Sequence, residues 1–144
     1  MITWKVPYQL GRIEARGIDH ERQVCSHQLQ TAGKPSKIRL IPDQKTICAD
    51  GRDLCNIEVQ ITDKEGIIVP DANHQIQFSI QGPGKIIGVD NGDITSMEPY
   101  KTDKRKAFHG RALVVVQSER KTGRITLKAQ AEGLLVETLK INVR

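Results

Sequence analysis

The chain has 144 residues, enough for one domain of ordinary size or a domain plus a fragment, and far short of the roughly 250 residues of a (β/α)8 barrel. Its 22 basic and 17 acidic residues give a net charge of +5, and only 3% of its residues are aromatic, too few to stack single-stranded nucleic acid or to build a broad aromatic platform for sugars. No apolar run approaches the ~18 residues of a membrane-spanning helix, so neither nucleic acid nor a membrane is an expected partner.

The opening Met1-Ile2-Thr3-Trp4-Lys5 lacks the basic-then-apolar build of a signal peptide, and the chain is expected to begin inside a longer protein. An extended piece over 5–8 precedes a hairpin. Residues 12–17 alternate, with Ile13 and Ala15 on one face, Asp19-His20-Glu21-Arg22 makes a charged turn, and residues 24–29 return. Two or three strands are too few for a sandwich. Residues 1–33 are therefore expected to be the terminal strands of a preceding β-sandwich domain plus a linker around Thr31-Ala32-Gly33-Lys34-Pro35. Their uncovered apolar face (Ile13, Ala15, Val24) is expected to dock on residues 34–144 or to pair with a second copy.

From Lys37 onward, alternation of period two dominates and no helical stripe is sustained. Strands are predicted at 37–42, 56–62, 75–81, 85–89, 107–118, 124–131 and 135–143. Ile57, Val59 and Ile61 against Glu58, Gln60 and Thr62 mark a strand with one buried face. Leu113 and Val115 between Ala112, Val114 and Val116 predict a strand covered on both faces. Turn residues separate these runs, among them Asp50-Gly51, Glu65-Gly66, Gly82-Pro83-Gly84, Asn91-Gly92 and Thr122-Gly123. The fold class is all-β: an immunoglobulin-like β-sandwich of about seven strands over 34–144, preceded by a β-hairpin remnant of an upstream β-sandwich domain.

Three cysteines, Cys25, Cys48 and Cys55, form no C-x-x-C pair, and the four histidines show no i, i+4 pairing, so no metal site is assigned. Cys48 and Cys55 flank a turn that can bring them together, and two reduced thiols are the favoured reading. The densest basic run is Lys101, Lys104, Arg105, Lys106 and Arg111, with Asp103 inside it. No nucleic-acid module surrounds it, so it reads as a solvated loop leading into a strand.

The stretch 89–100 is the longest without strand pattern, and ordered loops of that length usually carry a role. It presents Asp90, Asn91, Asp93, Ser96, Glu98 and Tyr100. Sugar contact, calcium binding and protein docking compete. The calcium-loop spacing D-x-[DN]-x-[DN]-G is absent, and Asn91-Gly92 is the preferred two-residue hairpin turn. Met97 and Tyr100 beside several hydrogen-bonding groups fit a partly apolar protein contact. Asp90, Asn91, Asp93, Glu98 and Tyr100 are thus the candidate binding or docking residues, and no catalytic residue or cofactor is assigned.

Residues 110–118 and 122–129 resemble the final strands of bacterial immunoglobulin-like repeats of the invasin type. A sharper resemblance is carried by Trp4-Lys5-Val6-Pro7-Tyr8 with Gly11, Thr31-Ala32-Gly33-Lys34-Pro35, Ile38-Arg39-Leu40, Asp50-Gly51 and Val69-Pro70-Asp71-Ala72-Asn73. It continues through Gly82-Pro83-Gly84-Lys85-Ile86-Ile87-Gly88-Val89-Asp90-Asn91-Gly92-Asp93 to Ser96, Glu98 and Pro99. Together these resemble the C-terminal region of bacterial glycoside hydrolase family 2 enzymes of the β-galactosidase kind. Gln9-Leu10 departs from that pattern where an acidic residue and proline are usual, and so do Cys48 and Cys55.

The resemblance implies a parent enzyme, periplasmic or extracellular, that hydrolyses O-glycosidic bonds in a catalytic barrel outside this chain. Retaining glycosidases need two carboxyl groups roughly 5–5.5 Å apart, and no position here matches the family's catalytic motifs. The chain is then a non-catalytic accessory domain that stabilises or docks to the rest of the parent glycosidase. The alternative is an independent carbohydrate-binding or adhesin-type module.

Overall fold

The computed structural model describes residues 3–144. Backbone contacts divide the chain into a unit ending at Ala32 and a unit running Gly33–Arg144. Among the described residues there is no helix.

The first unit is one antiparallel hairpin, β1 (Arg12–Asp19) and β2 (Arg22–Gln30). His20 and Glu21 both have positive φ (43° and 63°), the mirror-image two-residue turn whose twist matches the strands it joins. Register places Ile13 opposite Leu29, Ala15 opposite His27 and Gly17 opposite Cys25. The pairing then slips at Gly17/Ile18, making Val24 the extra residue of a bulge. Gly17 leaves room there: a Cβ would meet the Cys25 sulfur at 2.6 Å. Ile13, Val24 and Leu29 are all exposed within this unit. Residues 5–8 form no strand.

The second unit contains β3 (Lys37–Pro42), β4 (Thr46–Ile47), β5 (Leu54–Thr62), β6 (Gln75–Gln81), β7 (Gly84–Asp90), β8 (Lys104–Lys106), β9 (Arg111–Ser118), β10 (Gly123–Gln130) and β11 (Glu137–Val143). They form a five-stranded sheet, β4-β11-β10-β6-β8, and a four-stranded sheet, β3-β5-β9-β7. The inward positions of both are buried: Ile57, Val59 and Ile61 of β5, Val114 and Val116 of β9, Ile76 and Phe78 of β6, Ile125 and Leu127 of β10. Each such side chain contributes about 1.5–3 kcal/mol by leaving water. The result is an all-β sandwich.

Nine strands replace the expected seven because β4 and β8 span two and three residues, too few for alternation to register. The strand predicted at 107–118 begins only at Arg111. His109 and Gly110 have φ of 49° and 72°, and Phe108 and Arg111 exchange both backbone hydrogen bonds around them. That two-residue turn separates β8 from β9. A second correction concerns β9, whose outward Leu113 and Val115 are only half-buried rather than covered like the inward Ala112, Val114 and Val116. Their sheet face also carries the Glu58–Arg111 ion pair.

All three cysteines are free. The Cys55 thiol points into the core and donates to the Gln44 carbonyl at 3.1 Å, and burial pushes its pKa up to about 12. Cys48 is exposed, and the Asp53 carboxylate beside it raises its pKa.

Asp63 closes the turn after β5 by accepting from the backbone N–H of Gly33 (2.7 Å) and of Ile67 (2.8 Å). The Gly33 bond, the largest cause, holds its carboxyl below the ordinary 3.8 despite the opposing cost of burial. A carboxyl depressed in the folded state contributes stability that is present above its unfolded pKa and lost as pH falls through the folded one. Urea midpoints measured from about pH 6 to about pH 3 are expected to fall toward acid, and less steeply for Asp63→Asn. Identical acid limbs for the two proteins would refute this.

Candidate functional site

The candidate residues lie where β7 leaves the four-stranded sheet and β8 enters the five-stranded one. Both are edge strands, and the segment between them wraps that edge. The Tyr100 carbonyl accepts from Val89 N–H at 2.8 Å, and the Asp103 carbonyl accepts from Phe78 N–H at 2.7 Å, so the loop closes ladder positions that would otherwise be open.

Arg105 organises the loop. It is the middle residue of β8 and its side chain is 0% exposed, between exposed Lys104 and Lys106. One guanidinium nitrogen donates to the Glu98 carbonyl at 2.9 Å. The other donates to Asn91 Oδ1 at 2.9 Å and to Asp90 Oδ1 at 3.3 Å. Its Nε lies 3.8 Å from Glu98 Oε2, beyond hydrogen-bond reach, and has no other partner. The Tyr100 ring stands 5.2 Å from the guanidinium carbon, in cation–π range. A buried guanidinium is costly unless its donors are met, and here the loop meets those of both terminal nitrogens, while Nε faces the Glu98 carboxylate only across 3.8 Å.

The same residues also bind the outer edge of β8. Asn91 Nδ2 donates to the Lys106 carbonyl at 2.9 Å, and Glu98 Oε2 accepts from Lys106 N–H at 3.1 Å. Asp93 is turned to its own neighbours, accepting from the Thr95 hydroxyl (2.7 Å) and backbone (2.9 Å). Those two bonds hold its carboxyl below the usual carboxylate range. Asn91-Gly92 closes no hairpin. Of the pair only Gly92 has positive φ (74°), and Asn91 Oδ1 instead accepts from Asp93 N–H in a side-chain-closed turn.

Four of the five candidates, Asp90, Asn91, Glu98 and Tyr100, thus converge on Arg105, and Asp93 stiffens the turn between them. Arg105 itself was read as part of a solvated basic run, and that reading is wrong for it. The available signal was period: Arg105 and Ala107 alternate with Lys104 and Lys106, and both are buried. What the loop turns outward is apolar, with Ile94 100% and Met97 95% exposed. Among the described residues no group of three or more His, Cys, Asp or Glu gathers to hold a metal ion.

The family described as glycoside hydrolase family 2 C-terminal domain 5 matches residues 38–140. The β-galactosidase BoGH2A of Bacteroides ovatus is 43% identical over 141 residues, which cover 98% of this chain and 17% of that protein. A β-galactosidase of Thermoanaerobacter pseudethanolicus is 36% identical over 126 residues, 88% of this chain and 15% of that one. The crystal structure of a glycosyl hydrolase family 2 member from Bacteroides cellulosilyticus superimposes with a TM-score of 0.94 at 36% identity, covering 98% of this chain and 18% of the other. The chain therefore spans about a sixth of the length of the relatives it matches.

Proposed function

The chain belongs to the glycoside hydrolase family 2 C-terminal domain 5 family, and we propose that it serves a glycoside hydrolase of β-galactosidase type as a non-catalytic accessory domain, docking on the remainder of that enzyme through the loop over 89–100. The observation that carries this reading is the division of labour within the loop. Its polar groups are spent on Arg105 and β8, which leaves few for sugar hydroxyls or an ion, while Ile94 and Met97 stand free. Exposed apolar side chains held on a stiff support are what a protein contact uses. Asp90 and Glu98 are tied to a buried arginine rather than set across a sugar-shaped cleft, so no acid/base pair of the glycosidase kind is supported.

Ile94→Asp combined with Met97→Asp is expected to lower the melting temperature of the full-length parent enzyme by several degrees and to leave that of the 144-residue chain unchanged. Equal melting temperatures for variant and unmodified parent would sink the docking role. The chain alone is expected to give no turnover of chromogenic β-galactosides. Titration with galactosides, with or without calcium, is expected to release no heat, and a sugar affinity lost on Asn91→Ala would transfer the loop to a binding role.

A further inference from the structure

The outer face of the five-stranded sheet is uniformly polar and free of acid along its long strands. Alternation along β6, β8, β10 and β11 turns one residue set outward, and register lays that set out as a lattice. Lys104 stands opposite Gln77, which stands opposite Gln130, and Lys106 stands opposite Gln75. Lys128 lies between Ser79 and Thr138, Thr126 between Gln81 and Lys140, and Arg124 opposite Asn142. Every outward position is cationic, an amide or a hydroxyl; none is a carboxylate and none is apolar.

Five cations share this face: Lys104, Lys106, Arg124, Lys128 and Lys140. Among the described residues none of them has an ion-pair partner. Taking five from the 22 basic residues leaves 17, which equals the acidic count, so this face accounts for the whole net charge of +5. Lysines on an edge strand such as β8 are a common guard against edge-to-edge pairing. That explanation does not reach Lys128 and Lys140, which lie on β10 and β11, inside the sheet.

At one end of the face, Gln75, Gln77 and Gln130 line an open depression of about 390 Å³ with Ala131, Glu132 and Val136. Glu132 belongs to the turn after β10. Glu137, the first residue of β11, pairs with the inward Ala129. Both carboxylates therefore sit at the border of the lattice.

We propose that this face binds an acidic polysaccharide, a sugar chain carrying carboxylate or sulfate groups. The cations match its charge. The glutamine amides, each both donor and acceptor, match sugar hydroxyls. Strands about 4.8 Å apart spread these groups over roughly 14 Å from β8 to β11, enough for several sugar units rather than a single one. Other polyanions fit less well. The face has no aromatic for nucleic-acid bases to stack on, and its strands turn no apolar side chain outward to enter a lipid surface; the exposed Val136 lies beyond them, in the depression at the border. It also lacks the apolar centre of a protein interface. This inference goes beyond the docking reading and uses none of its residues.

The test is titration of the 144-residue chain at low salt with polygalacturonate and chondroitin sulfate, which separate carboxylate from sulfate recognition. Neutral galactan, single-stranded DNA and phosphatidylserine vesicles serve as comparisons. Binding to at least one acidic glycan is expected, weakening as salt rises and at least tenfold tighter than to any of the three comparisons. Lys104→Glu with Lys128→Glu is expected to abolish it, and Gln77→Ala with Gln130→Ala to weaken it at least threefold. No binding of either acidic glycan, or DNA binding of equal strength untouched by the glutamine substitutions, would overturn the proposal. The Ile94→Asp, Met97→Asp pair is expected to leave glycan binding intact, so the two readings fail separately.

Discussion

Arg105→Ala is expected to destabilise the Gly33–Arg144 unit by about 3 kcal/mol and to release the loop over 91–103. Removing one partner of a buried ion pair costs roughly 3–5 kcal/mol, because the other is left charged and unmatched. Asp90 and Glu98 keep 44% and 30% of their side-chain surface in water, which moderates that penalty. A cavity where a large side chain was fully buried adds to it. Arg105→Lys keeps the charge but cannot reach the Glu98 carbonyl and the Asn91 amide together, since those bonds use two arms of a planar fork. Its cost is expected to lie between wild type and alanine. Urea unfolding gives the energies, and amide exchange at Gly92 and Ser96 reports the loop. If Arg105→Ala stayed within about 0.5 kcal/mol of the unmodified chain, with loop amides as slow as before, the organising role would be wrong.

The long strands were legible because their chemistry repeats. Residues 37–42 and 75–81 coincide with β3 and β6 at both ends, since one face of each is buried and alternation records that burial directly. The short strands were not. β4 and β8 are held by pairing with one neighbour and carry too few residues to show a period. His109-Gly110 escaped notice because few non-glycine residues take positive φ, and the fold imposes it on His109 through both bonds between Phe108 and Arg111. Asn91-Gly92 misled in the opposite sense. It is a strong hairpin signal, yet Arg105 recruits the asparagine side chain and no strand follows. The loop was located and its residues named, but their common partner was hidden inside a run of cations. The acid-free sheet face lay equally hidden, because its five cations come from three strands separated in sequence and meet only through register.

Phe78→Ala is expected to be the most damaging single substitution in the core, at about 3–5 kcal/mol. Phe78 is 1% exposed on β6, between β8 and β10, and is the one aromatic in the core of the Gly33–Arg144 unit. Most other buried core positions of this unit are branched aliphatics, and paired strands on either side of β6 resist collapse into the vacated volume. Transfer and cavity costs therefore both apply in full. Domains of this size are stable by about 5–15 kcal/mol, so the variant loses a large share of its margin. The damage reaches the loop as well, since the Phe78 N–H donates to Asp103 and β6 carries β8 with Arg105. Phe78→Leu keeps most of the volume and is expected to cost less than half as much. Urea denaturation of both variants decides the matter. A loss for Phe78→Ala no larger than that for Phe78→Leu would mean that the sheets close over the gap and that the core is far softer than its burial implies.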